Sequence, residues 1–318
     1  MATIIRLEKI KSILENLDLV TAIEEGFVQY SNNNTVVPPV GELLFEEPKG
    51  EAHIKYGYIK NDDYFVIKIA SGFYDNVKLG ISSSQGLMLI FSQKTGEIKG
   101  VLLDEGYLTN IRTAAAGAVV AKYFAPKNIK AIGIIGTGIQ GRLQLEYLQK
   151  ISPCKTVWIW DRHIESAEQF KNELKGDYEI HIAKDTSEIG KHCNFILTTT
   201  PSEMALIKAV DIQAGTHITA VGSDTPEKQE LESAILQKAA IVISDSIPQS
   251  KSRGEIYRAT TDGTITADKV VELGTAIQNS KLHRSNENQI TVADLTGVAV
   301  QDIVITKAVY LNYLDANS

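Results

Sequence analysis

The sequence predicts an α/β protein, a doubly wound parallel sheet joined to a smaller α+β region, on three observations. Between Ala131 and Asp161 the chain reads AIGIIGTGIQGRLQLEYLQKISPCKTVWIWD: an apolar strand, a glycine turn, a helix, a second strand and an acid at its end. From Lys130 onward, short apolar strands recur with helical stretches between them, the alternation that builds a parallel sheet. Before Ala131 the segments are short, β-branched or aromatic, and separated by Gly, Asn, Asp and Ser, which reads as antiparallel strands joined by hairpins.

In chain order, the opening MATIIRLEKIKSILENLDLV alternates charged with apolar residues and predicts an amphipathic strand and helix. It lacks the uninterrupted apolar stretch and cleavage site of a secretion signal. Antiparallel strands are expected at 53–58, 64–70, 87–92 and 100–103. Residues 108–125, LTNIRTAAAGAVVAKYFA, are small helix formers that stop at Pro126, so one helix carries the chain from the first domain into the second. Parallel strands are expected at 131–135, 156–160, 179–183, 195–199, 217–221 and 241–244. The stretch 289–313 starts as a short strand and ends as a long apolar helix returning to the first domain. The expected domains are therefore 1–112 with 295–318, and 113–294.

The segment from Ala131 to Asp161 has the makings of a Rossmann-type dinucleotide site. Gly136 permits the tight turn after the strand, Gly138 lets backbone approach a pyrophosphate, and Gly141 lets the helix pack close to the sheet. Ile139 and Gln140 open that helix, whose N-terminus offers free N–H groups to phosphates. Asp161 falls about 20 residues past the last glycine, where a carboxylate accepts both ribose hydroxyls of an adenosine. Asp161 repels a 2′-phosphate and argues for NAD(H), whereas Arg162 and His163 beside it are able to pair with that phosphate and leave NADP(H) open. Arg162 reads equally well as a solvated loop charge.

Composition bounds the rest. With 318 residues, 43% hydrophobic and 22% charged, the chain buries a full core and divides into two domains as an ordinary soluble protein. A formal charge of −7 and the lack of any basic cluster argue against a nucleic-acid partner. Cys154 and Cys193 show neither a CxxC nor a metal-ligand spacing, so no disulfide framework and no metal are expected, and a reducing, cytoplasmic setting fits. No apolar run approaches the ~20 residues that cross a bilayer, so no membrane association is expected.

Four segments together carry a wider resemblance: LLDEGYLTNIRTAAAGAVVAKYFAP at 102–126, the GTGIQG turn, ITAVGSDTPEKQEL at 218–231 and ITVADLTGVAVQD at 290–302. Over nearly its whole length the chain resembles the ornithine cyclodeaminase/mu-crystallin family. That resemblance implies hydride exchange between a nicotinamide and the α-carbon of an amino acid or its imine. It also implies a homodimer paired through an α+β substrate-binding and dimerisation domain. Matched position by position, Lys68 and Arg112 correspond to contacts of the substrate carboxylate, and Asp224 to the acid that works at the reacting carbon. An imine accepts hydride readily only when its nitrogen is protonated, so Asp224 would stabilise the iminium or relay a proton, with Lys68 a second proton donor. Thr113 corresponds to a pyrophosphate contact, Thr198 and Thr199 to the neighbourhood of the nicotinamide ribose, and Asp294 and Gly297 to a segment closing over the nicotinamide.

Taken alone, Lys68 reads as an edge-strand solubility charge, Arg112 as a salt bridge, and Asp224 as the cap of a helix starting near Pro226. The stretch VVPPVGELLF lacks the arginine that ornithine cyclodeaminases carry near the second strand, and Lys55 or His53 stands in its place. Tyr56, Phe73, Tyr74 and Leu87 are candidates for an apolar ring pocket. The expected reaction is NAD(P)H-dependent reduction of a cyclic ketimine, Δ1-pyrroline-2-carboxylate to L-proline, with Δ1-piperideine-2-carboxylate as a second substrate. Ornithine cyclodeaminase, alanine dehydrogenase and a non-catalytic mu-crystallin-like binding protein are the alternatives.

Overall fold

The computed structural model describes residues 2–317 and, within them, the side chains of all residues except Tyr74 and Val77. The chain separates into two compact units, one of residues 1–112 with 298–318 and one of residues 113–297. The return to the first unit falls after Gly297, beyond the expected 294, because Asp245 accepts hydrogen bonds from the N–H groups of Thr296 (3.2 Å) and Gly297 (2.6 Å) and keeps both with the second unit.

The first unit opens with β1 (Thr3–Arg6), α1 (Leu7–Leu14) and α2 (Leu19–Ser31), followed by β2 (Thr35–Val36), β3 (Gly41–Phe45), β4 (Gly50–Ile59), β5 (Tyr64–Phe73), β6 (Ser84–Ser92) and β7 (Ile98–Leu103). Asp18 starts α2 by accepting from the Thr21 N–H at 3.2 Å. The sheet runs β1-β7-β6-β5-β4-β2 with β3 also on β4, antiparallel except for the β1–β7 pair. Strand β3 has no counterpart among the sequence expectations. Pro38 and Pro39 precede it and Leu43, Leu44 and Phe45 are all exposed, so it has no alternating pattern to read. Helix α3 (Tyr107–Phe124) then runs from Arg112 into Thr113, the last residue of one unit and the first of the next.

In the second unit follow β8 (Ile132–Ile135), α4 (Ile139–Leu148), β9 (Thr156–Trp160), α5 (Ile164–Glu173), β10 (Glu179–Ile182), α6 (Thr186–His192), β11 (Phe195–Thr198), β12 (His217–Ala220), α7 (Ser233–Lys238), β13 (Ile241–Ser244), α8 (Gly254–Thr261), β14 (Val270–Glu272), α9 (Leu273–Gln278) and β15 (Thr291–Asp294). All eight strands are parallel, in the order β10-β9-β8-β11-β12-β15-β13-β14. Alternation splits each strand between two cores: Ile132 and Ile134 pack with Leu145, Phe170 and Phe195, while Ile135 packs with Ile189, Ile196 and Ile235. The strand order reverses direction at β8, and the glycine turn leaves the carboxyl end of that strand, where ligands of doubly wound sheets bind.

Strand β15 stays in the middle of the second sheet, and only the helix after it, α10 (Ala299–Asp315), returns to the first unit. Its buried Val300, Ile303, Thr306 and Tyr310 recur at three- and four-residue steps, and the helix packs on α2 and on β4, β5 and β6. Among the described residues no helix is long and apolar enough to cross a membrane.

Helices α2 and α10 meet at Gly26, where a Cβ atom would stand 2.9 Å from Val304 Cγ2. Gly26→Leu should force them apart and lower the unfolding free energy by about 2 kcal/mol despite the better helix propensity of leucine. Urea denaturation checks this; an unchanged midpoint would mean that α10 shifts freely.

Candidate functional site

Strand alternation aims one face of β4, β5 and β6 at α10. Lys55 lies directly across the ladder from Lys68, and Lys68 from Met88. Two lysines in that relation repel, and burial sharpens the repulsion, so a counter-charge is required. Asp302, in the first turn of α10, supplies it: Oδ2 stands 3.3 Å from Lys68 Nζ, and Oδ1 accepts from Arg112 Nε at 3.0 Å. Gln301 fixes the guanidinium further, its Oε1 accepting from Nη1 at 3.0 Å. Lys55, Lys68, Arg112 and Asp302 are each no more than 5% exposed.

Three cationic side chains thus surround the Asp302 carboxylate in this cluster. Burial is the main force pulling the Lys68 pKa down, to about 7; Asp302 opposes it, and Arg112 and Lys55 add to it. At Asp302 burial works against ionisation, yet Arg112, Lys68 and Lys55 hold the carboxyl below its ordinary value. Asp104, whose Oδ2 accepts from the Leu108 N–H at 2.8 Å, feels Lys68 as well, although burial raises its pKa. Of the two substitutes for the missing arginine, Lys55 joins this cluster, whereas His53 lies opposite Ala70 with Nε2 3.6 Å from Glu42.

Three of the proposed ring-pocket residues are not part of it. Tyr56, Phe73 and Leu87 have the opposite parity along β4, β5 and β6, so a period of two turns them to the face away from Lys55, Lys68 and Met88. Phe73 packs there against Phe45, ring centroids 5.3 Å apart. The Tyr74 side chain lies outside the described residues.

In the second unit a cavity of about 300 Å³ is lined by Gly136, Gly138, Trp160, Asp161, Arg162, His163, Thr199–Ser202 and Leu206. Gly136 has φ +97° and its N–H donates to Trp160 O at 2.9 Å, which locks the turn. A Cβ on Gly141 would collide with the Gly136 carbonyl, whereas one on Gly138 would meet no protein atom within 4 Å. The space beside Gly138 at the start of the ten-residue α4 therefore fits a pyrophosphate approached by the backbone at Ile139 and Gln140. Asp161 is held in place: Oδ2 accepts from Thr137 N–H and Oγ1, both at 2.8 Å, and Oδ1 from the His163 N–H at 3.0 Å. Arg162 is exposed. Thr113 gives its carbonyl to Gln144 Nε2 at 3.1 Å, which ties α3 to α4.

The loop after β12 corrects one expectation. No helix starts near Pro226; the next is α7 at Ser233. Asp224 Oδ1 instead pairs with Lys228 Nζ at 2.7 Å, and Arg253 Nη1 donates to the Asp224 carbonyl at 3.2 Å. Its charge is thus matched by a side chain rather than by helix N–H groups. Lys228 sits inside the quoted GSDTPEKQEL motif, but in a loop its spacing from Asp224 carries no pairing signal.

Behind the cavity stands a row of buried acids that sequence reasoning missed: Glu230, Glu255, Asp245 and, expected in another capacity, Asp294. Thr198 is fully buried and donates to Glu230 Oε2 at 2.8 Å. Asp294 Oδ2 accepts from the Ile256 N–H at 2.9 Å in the first turn of α8, and burial raises its pKa to about 8. Gly297 is held by Asp245. None of these three residues lines the cavity. Asp245 and Asp294 stood out as single acids in uncharged stretches, IVISDSIP and ITVADLTG, whereas Glu230 and Glu255 lie among other charges.

A model of the ornithine cyclodeaminase/mu-crystallin family matches residues 2–317. A Sinorhizobium fredii protein named as an uncharacterized cyclodeaminase is 38% identical over 91% of this chain and 89% of its own length. The structure of an archaeal alanine dehydrogenase dimer with bound NAD superposes with a TM-score of 0.90 at 32% identity, covering 100% of this chain and 97% of that one. Thermococcus litoralis Δ1-pyrroline-2-carboxylate reductase, in complex with NADH and L-proline, superposes with a TM-score of 0.90 at 25% identity, covering 99% and 98%.

The Lys68 ammonium has an ordinary pKa of 10.5 when exposed and about 7 when folded. Between those values the unfolded chain binds the extra proton, so this group makes stability rise with pH across that window. Lys68→Met should remove that increment from the pH dependence of urea unfolding. A variant whose stability still climbs as steeply as wild type would place the depressed ammonium elsewhere.

Proposed function

This chain belongs to the ornithine cyclodeaminase/mu-crystallin family, and from that premise we propose that it is an NAD(H)-dependent oxidoreductase acting at the α-carbon of a small 2-imino or 2-amino acid. The observation that carries this reading is the buried cluster of Lys55, Lys68 and Arg112, cationic side chains of the kind that bind a substrate carboxylate. Arg112 has one edge committed to Asp302 and Gln301, so its remaining N–H groups meet the carboxylate in a fixed plane. Lys68 and Lys55 add point charges. With the carboxylate so fixed, the α-carbon has one orientation toward the hydride that the bound nicotinamide supplies. The imine nitrogen takes a proton as the carbon takes hydride, a task that the family resemblance gives to Asp224. Asp161, pinned with its carboxylate in the cavity wall, favours NAD(H) over a 2′-phosphorylated cofactor.

Two substrates fit this chemistry, each on its own observation. Reduction of Δ1-pyrroline-2-carboxylate to L-proline is supported by the likeness to the Thermococcus enzyme. Reductive amination of pyruvate is supported by the higher identity to the archaeal alanine dehydrogenase and by the turning of Tyr56, Phe73 and Leu87 away from Lys68. NADH loss with the cyclic imine alone marks the first, and ammonia-dependent NADH loss with pyruvate marks the second. Ammonia release from ornithine without net change in NADH would point to cyclodeamination instead. Running the panel with NADPH beside NADH tests the part assigned to Asp161.

Arg112→Ala should raise KM for the imino acid and also lower kcat, together at least about tenfold in kcat/KM, because a loosened carboxylate misplaces the reacting carbon. Wild-type kinetics in this variant would remove Arg112 from the clamp.

We further propose a homodimer that forms through the exposed apolar side chains of β3 and of the segment before β6, Leu43, Leu44, Leu79 and Ile81, with Leu44 71% exposed. Leu44→Glu should shift sedimentation toward a monomer. An unchanged dimer would locate the interface on another surface, and a monomeric wild type would dispose of it.

A further inference from the structure

The wall of the dinucleotide cavity formed by residues 199–206 belongs to no helix or strand, yet it must hold its place beside the glycine turn. Glu230 gathers it. Oε1 accepts from Thr200 N–H at 2.5 Å and from Thr200 Oγ1 at 2.8 Å. Oε2 accepts from Thr198 Oγ1 at 2.8 Å and from Gly222 N–H at 2.9 Å. Its carbonyl takes the Leu206 N–H at 2.8 Å, while its own N–H is fixed by Glu255 Oε1 at 2.7 Å. Next along the chain, Gln229 N–H donates to Ser202 O at 2.7 Å. Thr200, Ser202 and Leu206 line the cavity, and Glu230 does not.

We infer that Glu230 is the positioning residue of the cofactor pocket, setting the distance of the 199–206 wall from the glycine turn and thereby the affinity for the dinucleotide. The inference rests on the reading that this cavity takes NAD(H). A carboxylate is suited to the task because it accepts at four sites and donates at none. Glutamine cannot replace it: in either orientation its NH2 group faces a backbone donor, Thr200 N–H or Gly222 N–H. One buried N–H then loses its acceptor, and the wall moves to find another.

Burial raises the Glu230 pKa to about 7, and the neighbouring buried Glu255 and Asp294 are raised too. Protonation fills one acceptor site, so the wall should loosen as pH falls through that value. Asp161, Arg162 and His163 face the cavity as well and act equally in wild type and variant.

The test is NADH binding followed by its fluorescence, with no substrate present, for wild type and Glu230→Gln at about pH 6 and about pH 8. The expected result is a Kd raised about tenfold in the variant at the higher pH, and a wild-type affinity that weakens toward the lower pH more than that of the variant. A variant that loses thermal stability but binds NADH like wild type would overturn the inference, since that is what a merely structural residue does. Wild type that fails to bind NADH at all would overturn the cofactor reading beneath it. If Glu230→Gln does not fold, Thr198→Val removes one donor to the same carboxylate from outside the cavity and should raise the Kd about twofold to threefold; no change there counts against the inference.

Discussion

The interior placement of charge is the constraint on which both units depend. An isolated ion cannot be taken out of water without a partner or a full set of hydrogen bonds. In the first unit this explains why the last helix returns: α10 buries apolar side chains against α2 and the sheet, and it also brings the carboxylate that lets Lys55, Lys68 and Arg112 share one interior. In the second unit the solution is different. Buried Glu230, Glu255, Asp245 and Asp294 each accept from backbone N–H groups of loops and helix starts. Irregular chain at the carboxyl ends of the strands thereby becomes as well satisfied as the sheet itself.

The two solutions leave opposite residues of charge. The first-unit cluster gathers cationic side chains around Asp302 and pulls the Lys68 pKa down to about 7. Glu230, Glu255 and Asp294 of the second unit hold raised proton affinities because burial and mutual repulsion both oppose ionisation, and both oxygens of Glu230 and of Glu255 accept from the chain itself. A charged group in the interior is therefore not by itself a mark of chemistry. What separates Arg112 from Glu255 is whether its hydrogen-bonding capacity is already used: part of the guanidinium is free, while both Glu255 oxygens are occupied.

Much of this was legible in the sequence. Elements with a strong period, such as the strands around 131–135 and 156–160 and the helix near 108–125, are recovered within a residue or so of their bounds. The glycine turn places Asp161 by chain geometry alone. Strand β3 escaped because all three of its large apolar residues face solvent, and β14 because three residues carry no period. The ring pocket failed for a definite reason: residue type was considered without parity, and parity puts Tyr56 and Leu87 on the far side of the sheet from Lys68. Asp302 and Glu230 were invisible because their partners lie far away in sequence or are backbone groups, and neither leaves a local pattern.

The path of the chain through its two units has a consequence for how the protein is made. Arg112 and Asp302 are 190 residues apart, and strand β15, near the end, is what joins β12 to β13 in the second sheet. A ribosome that has released the first hundred residues has delivered Lys55 and Lys68 opposite each other without Asp302, and later five strands of the parallel sheet on one side and two on the other await β15. The second unit cannot close its sheet before β15 emerges, nor the first its interior before α10 does, so each depends on late, long-range closure.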